Sequence, residues 1–379
     1  MGQDDRRPRG GGLRVLIAGG GVAGLEALLA LRALAGELTR IEIVSPDPYF
    51  WYRPLAVAEP FERVDAVRFE VAGIAEAADA VFTLDEIASV DTHARVARTR
   101  HGTDVEYDVL VLAHGALSRP WLPGALTFRG PADTDALEAV LREAEEGAAR
   151  SIVFVGADGG AWPLPLYELA LLTGRRLARR PAAEITLVTP EPTPLSLFGE
   201  AASDAVRALL DGCGVGVHAN RRATAYDGTV LRFEPWGSVP ADRVVALPRL
   251  EGRRILGIPH DGDGFIPTDA SGRVRGVASV FAAGDVTSFP VKQGGIAAQQ
   301  ADAAAETIAA LAGARLAPRP FRPVLHGLLL TGGPPLFLRS DPTGRDSAVG
   351  ETPLWWPPHK ISGRYLAPFL AGYQGMTVA

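Results

Sequence analysis

The chain has 379 residues, more than one hydrophobic core usually serves, so two or three domains are expected. With 47% hydrophobic and 22% charged residues it falls among globular proteins, and its 43 glycines and 30 prolines stay below the level that marks disorder. A formal charge of −6 offers no basic footprint, which argues against a nucleic-acid partner.

The single cysteine, Cys213, excludes an internal disulfide and a redox dithiol within one chain. Its setting reads as a turn running into a strand, with a small buried or half-buried side chain, a reactive thiol being the alternative. No apolar run reaches the ~18–20 residues of a membrane span. Met1 to Gly12 is charged and Gly-rich without an apolar core, so it reads as a frayed tail and not as a signal peptide. The cytoplasm is the expected location.

Leu13 to Ala18 is a short apolar run suited to a buried parallel strand. Gly19-Gly20-Gly21-Val22-Ala23-Gly24 follows at once, and Leu25 to Leu34 repeats apolar residues at helical spacing. In this strand–turn–helix, Gly19 permits the tight turn, Gly21 lets the backbone approach a pyrophosphate, and Gly24 allows close packing of helix on strand. The helix N-terminus offers free N–H groups to the phosphates. Ile41 to Val44 completes the βαβ unit. An acid is expected at the end of that second strand to bond the adenosine ribose. Ser45 stands there, followed by Pro46 and Asp47, so either Ser45 with nearby backbone takes the ribose or Asp47 reaches back.

Further on, Tyr107 to Ala113 is an apolar strand that ends in the small-residue turn His114-Gly115-Ala116. Val280 to Ala283 ends likewise in Gly284-Asp285, and Lys292-Gln293-Gly294-Gly295 opens an Ala-rich helix to about Leu311. This ordered set, with Gly264-Phe265-Ile266 and Asp269 before the last strand, resembles the pyridine nucleotide–disulfide oxidoreductase superfamily. Tyr49-Phe50-Trp51-Tyr52-Arg53-Pro54-Leu55 and the Lys-Gln-Gly helix start are similar to its sulfide:quinone reductase and type II NADH dehydrogenase branch. The resemblance covers roughly residues 13 to 315.

The resemblance implies an α/β fold of two Rossmann-like, doubly wound dinucleotide-binding domains, with FAD in the first. It implies an FAD site at Gly19, Gly21, Val22, Ala23, Gly24, Ser45, Arg53, Ile87, Ala113, Gly115, Gly284, Asp285, Lys292, Gln293 and Gly294. By position, Gly115 lies near the adenosine diphosphate, Asp285 bonds the ribityl chain or a phosphate, and the Ile87 backbone meets adenine. The helix starting near Gln293 points at the flavin C2 carbonyl, where a helix N-terminus stabilises the charge of a reduced flavin. Lys292 either adds a full charge there or is a solvated residue before the helix. His114 reads as a neutral, hydrogen-bonded structural histidine, a catalytic one being the alternative. The other histidines (His93, His101, His218, His260, His326 and His359) show no metal-ligand spacing, so no metal is expected.

From Ser151 the pattern restarts with the strand Ile152 to Val155, a helix containing Leu166 to Ala170, and the strand Ile185 to Val188. The glycines do not repeat: Asp158 replaces the second, Ala161 the third, and Trp162-Pro163-Leu164-Pro165 occupies the first helical turn. Two prolines remove two N–H donors, and a carboxylate repels a pyrophosphate. These features argue against nicotinamide binding, while Glu191 beyond the strand still suits a ribose and leaves NAD(P)H open. Missing its cysteine pair, the chain is excluded from the sulfide and disulfide chemistry that the resemblance otherwise implies.

After Pro318 the sequence reads as two strands, Phe321 to Leu330 and Leu336 to Leu338, a polar loop from Ser340 to Thr352, and a short helix from His359 to about Tyr373. Trp355, Trp356, Tyr365, Phe369 and Tyr373 with Lys360 and Arg364 suit either packing on the flavin domain or a second subunit, or peripheral contact with the inner face of a membrane through 354–373. The expected domains are 13–117 with 245–315 for FAD, 118–244 for the degenerate NAD(P)-binding-like unit, and 316–379 as a C-terminal interface segment.

The leading functional reading is an FAD-dependent oxidoreductase that exchanges electrons with a small-molecule or protein partner, its donor unassigned. The alternatives are an NAD(P)H:quinone or other acceptor reductase, and a non-turnover flavoprotein that senses redox state or docks a partner; a homodimer fits any of these. The sequence names no catalytic acid or base.

Overall fold

The computed structural model describes residues 11–62, 67–159, 162–178, 183–341, 343 and 345–373. The expected tail up to Gly10 and the third-glycine position Ala161 lie outside the described residues.

Leu13–Ala18 pairs in parallel with Thr39–Ser45 on one side and Val109–Leu112 on the other. Val81–Leu84 and Val280–Ala282 add the two edges of a five-stranded parallel sheet. Val109, Leu110, Val111 and Leu112 are all buried, because both faces are covered and a run without alternation is what such a strand needs. The helices Val22–Ala35 and Gly294–Leu311 pack together on one face, where alanines such as Ala27, Ala30, Ala301 and Ala304 let them approach closely. The antiparallel strands Ile87–Asp91, Val96–Thr99 and Asp104–Glu106 contribute Ile87, Val90 and Ala97 to the core of the other face.

A ribbon of Ala116–Arg119 against Arg249–Gly252 carries the chain out to a second parallel sheet and back. That sheet runs Leu126–Thr127, Arg243–Ala246, Ser151–Val155, Glu184–Val188 and Val215–His218. The fold is therefore α/β with two parallel sheets, each opened by a strand–turn–helix. Cys213 is a half-buried free thiol capping the helix Glu200–Gly212 just before the strand Val215–His218.

The C-terminal part departs from expectation in two ways. Leu325–Leu329 and Leu336–Ser340 form the anticipated hairpin, but Ser347–Gly350 adds a third antiparallel strand inside the stretch read as a polar loop. The expected helix from His359 shrinks to Leu366–Gly372. Pro357, Pro358 and Gly363 keep residues 357–365 extended or bent. This non-helical strap crosses the first sheet's helices, where the Glu26 carboxylate accepts the N–H groups of Tyr365 and Leu366, both at 2.7 Å. A side chain on Gly363 would collide with that carboxylate.

Candidate functional site

The first glycine turn is built for a bound group. Gly19 sits at φ +121°, and a Cβ there would run into the Ala113 carbonyl of the neighbouring strand. A Cβ on Gly24 would collide with the Gly19 carbonyl, whereas one on Gly21 would meet nothing within 4 Å. Gly21 also caps the helix Val22–Ala35 without any side-chain hydrogen bond, and the first turn of that helix holds no acid. Free N–H groups and the positive end of the helix thus face open space, which fits a pyrophosphate. Gly115, at φ +72°, likewise faces open space.

The surrounding residues converge on this cradle from distant parts of the chain. Ala113 N–H donates to the Ala18 carbonyl at 2.8 Å, joining the ends of the two central strands. Gly284 packs on Ala23, its N–H held at 2.7 Å by Gln300, and Thr287 closes the turn by donating to the Gly284 carbonyl. Ser45 is buried and its hydroxyl donates to the Asp47 carbonyl at 3.0 Å, while the Asp47 carboxylate accepts from Tyr49 N–H. Both candidates for the ribose are thus engaged in their own turn. Ile87 is buried at the start of its strand. His114 Nε2 bonds the Arg253 carbonyl, and burial lowers its pKa to about 4, so it is neutral.

Lys292 is 6% exposed, so it is not a solvated residue. Its ammonium donates to the Thr287 carbonyl and lies 3.7 Å from the centre of the Phe265 ring. Burial pulls its pKa down to about 8 against the attraction of Asp285 and Asp261. Burial pushes the Asp285 carboxyl up, with Lys292 and Arg53 opposing. Gln293 caps the helix Gly294–Leu311, accepting Ile296 N–H at 2.8 Å, and its amide donates to the His326 carbonyl at 2.9 Å.

Arg53, Lys292, Gln293 and Gly294 reach a cavity of about 240 Å³ between the two sheets and the C-terminal strap. Its walls are mostly apolar, with Val57, Phe128, Leu164, Leu328 and Ile361 among them. Glu168, from the helix Leu164–Leu177, and Lys360, from the strap, form an ion pair at 2.5 Å in its wall, their side chains 1% and 5% exposed. Burial pushes the Glu168 carboxyl up and the Lys360 ammonium down, so both groups are driven toward their neutral forms. Sequence reasoning missed this pair. The signal was present, since Glu168 is a lone acid in the apolar run Leu164 to Leu172, which a buried partner has to explain.

The second turn is poorly suited to phosphate. Pro163 caps the helix Leu164–Leu177 and Pro165 follows, so two N–H donors are missing, and Asp158 is paired with Arg222 at 3.0 Å. A pocket of about 440 Å³ lies at this turn, with Gly156, Gly159, Thr189 and Glu191 in its wall. Glu191 accepts from the Tyr167 hydroxyl at 2.6 Å and from Thr189 at 3.2 Å, and burial raises its pKa to about 7.

Among the described residues no helix is long and apolar enough to cross a membrane. Lys360 and Arg364, the two cations of 354–373, are spent on Glu168 and Glu306.

A family model described as pyridine nucleotide-disulphide oxidoreductase matches residues 13–306. Demethylphylloquinone reductase NdbB of Synechocystis sp. is 29% identical over 305 residues, covering 74% of this chain and 72% of that protein. The sulfide-quinone reductase of Aquifex aeolicus is 26% identical over 267 residues, covering 65% of this chain and 61% of that protein. The X-ray structure of the sulfide:quinone oxidoreductase from the same bacterium superimposes with a TM-score of 0.81 at 20% identity, covering 89% of this chain and 87% of that one.

Proposed function

Since the chain belongs to the pyridine nucleotide-disulphide oxidoreductase family and is an FAD-dependent oxidoreductase, we propose that it reduces a quinone-class acceptor held in the cavity beside Lys360. The observation that carries this reading is a buried acid–base pair in the wall of a mostly apolar cavity. Reduction of a quinone to its quinol adds two electrons and two protons. FAD, when bound and reduced, would supply the two electrons and one of the two protons. The chain supplies the remaining requirements. Val57, Phe128, Leu328 and Ile361 exclude water and favour an apolar ring, and Glu168 with Lys360 holds a proton at the cavity wall. With both groups pushed toward neutrality, that proton is released more readily than from an exposed lysine.

The same reading assigns FAD to the cradle of Gly19, Gly21, Val22, Ala23, Gly24, Ala113, Gly115 and Gly284. Ser45 and Ile87 belong to its adenosine end, and Arg53, Asp285, Lys292, Gln293 and Gly294 to its flavin end. Residues 13–117 and 245–315 make up the flavin unit, 118–244 the second unit, and 316–379 the interface segment. Peripheral membrane contact through 354–373 rests on apolar insertion of Trp356, 86% exposed, and not on charge.

A second reading, with NAD(P)H as electron donor, is favoured by Glu191 and Thr189 at the end of the second unit's strand, placed as a ribose-binding pair. The acceptor reading is tested with Lys360→Met. We expect this variant to retain its flavin and to reduce menadione roughly 100-fold more slowly. Full activity in that variant would remove the basis of the proposal.

A further inference from the structure

The cavity holds one more polar side chain whose chemistry the acid–base pair does not absorb. His326 lies on the strand Leu325–Leu329 with its imidazole in the cavity wall. Three contacts fix it. Its ring stacks on Trp355 at 4.8 Å between centres, and Trp355 is itself anchored by its Nε1–H to the His359 carbonyl and by Phe337 at its edge. Its Nδ1 is 2.8 Å from the Ser362 hydroxyl. Its backbone carbonyl accepts from the Gln293 amide, which ties it to the helix start beside the flavin end of the site.

Burial holds the His326 pKa down to about 4, so the ring is neutral at physiological pH and carries a single N–H. Among the described residues the Ser362 hydroxyl has no bond other than the one to His326, so its proton is directed to Nδ1. The ring proton then sits on Nε2, which has no protein partner among the described residues. Of the other polar groups in the wall, Glu168 and Lys360 pair with each other, Lys292 bonds Thr287, Gln293 caps its helix, Arg129 pairs with Asp133, and Arg53 is exposed to solvent.

The geometry points to His326, oriented by Ser362 and Trp355, as the hydrogen-bond donor that recognises a carbonyl oxygen of the acceptor through Nε2–H. This rests on the quinone-class reading and adds its specificity determinant. Apolar walls alone accept any flat ring of the right size. A fixed donor that loses its bond to water when the cavity fills selects rings that return the bond. The Glu168–Lys360 pair serves proton supply, and His326 serves recognition.

The test is binding of menadione and of 2-methylnaphthalene, the same ring system without the carbonyls, to the oxidised holoprotein. The readout is quenching of intrinsic tryptophan fluorescence, with Trp162 in the cavity wall and Trp355 stacked on His326. Wild type is expected to prefer menadione by about tenfold, the worth of one well-placed hydrogen bond. His326→Leu should erase the preference by weakening menadione alone, and Ser362→Ala, which keeps the imidazole but frees its tautomer, should reduce it to about threefold. Imidazole ¹⁵N shifts should report the Nε2–H tautomer in wild type and a mixture in Ser362→Ala. A preference unchanged in both variants overturns the assignment to His326. A wild type that shows the His326-dependent preference, yet whose reduced flavin is not reoxidised by menadione, retains the contact and overturns the quinone-reductase reading. A wild type that prefers neither ligand overturns the assignment.

Discussion

Glu26 and Asp302 face each other between the two Ala-rich helices and the C-terminal strap that delivers Lys360. Burial raises both carboxyls, and each bonds the other. Glu26 also accepts the N–H groups of Tyr365 and Leu366, so it is the member that stays charged, and the shared proton resides on Asp302. Arg364, from the strap, favours ionisation of Asp302, while Glu306 on its own helix opposes it. The pKa of Asp302 is raised from 3.8 to about 8. Over that window the closed strap holds a proton that the opened one releases, so closure weakens as pH rises and stops weakening above about pH 8. The limiting slope is about 1.4 kcal/mol, or tenfold, per pH unit. Asp302 is only partly shielded, so we expect roughly threefold to fivefold per unit. Hydrogen exchange of the segment 364–372, corrected for intrinsic rates, should show protection falling by that factor per unit from pH 5 to 8. Asp302→Asn supplies a donor that does not titrate and should give a flat profile. Parallel profiles for variant and wild type would refute the assignment of the proton to this pair.

Three further outcomes follow from the site. Gly21→Ala should leave the melting temperature of the apoprotein nearly unchanged, because its Cβ meets no protein atom, and yet lower flavin content measured by visible absorbance. Gly24→Ala, whose Cβ collides with the Gly19 carbonyl, should lower both, with a stability loss of about 2 kcal/mol or more by differential denaturation. Glu168→Gln should destabilise the protein by roughly 3 kcal/mol by stranding Lys360, and the double replacement Glu168→Gln with Lys360→Met should recover much of that in a denaturant double-mutant cycle.

The phosphate cradle and both parallel sheets are legible in the sequence because their determinants are local. Gly19, Gly21 and Gly24 fall within six residues of one turn, and strands such as Val109–Leu112 announce burial by continuous apolarity. The acceptor cavity is not legible, since Glu168 meets Lys360 across 192 positions and Glu26 meets Leu366 across 340. The aromatic pattern after His359 suggests a longer helix, yet the fold needs an extended strap to bring Lys360 and Ser362 to the cavity, and Gly363 past Glu26. Lys292 reads as either a charge aimed at the flavin or a solvated residue before a helix cap. Only packing against Phe265 excludes the solvated reading.

The account is tested most directly by anaerobic stopped-flow mixing of the dithionite-reduced holoprotein with menadione while the visible flavin band is followed. We predict complete return of the oxidised band, with a rate that saturates as menadione is raised, as a bound acceptor requires. A band that stays bleached, or a rate that rises linearly and is unaffected by Lys360→Met, would contradict an acceptor site in this cavity.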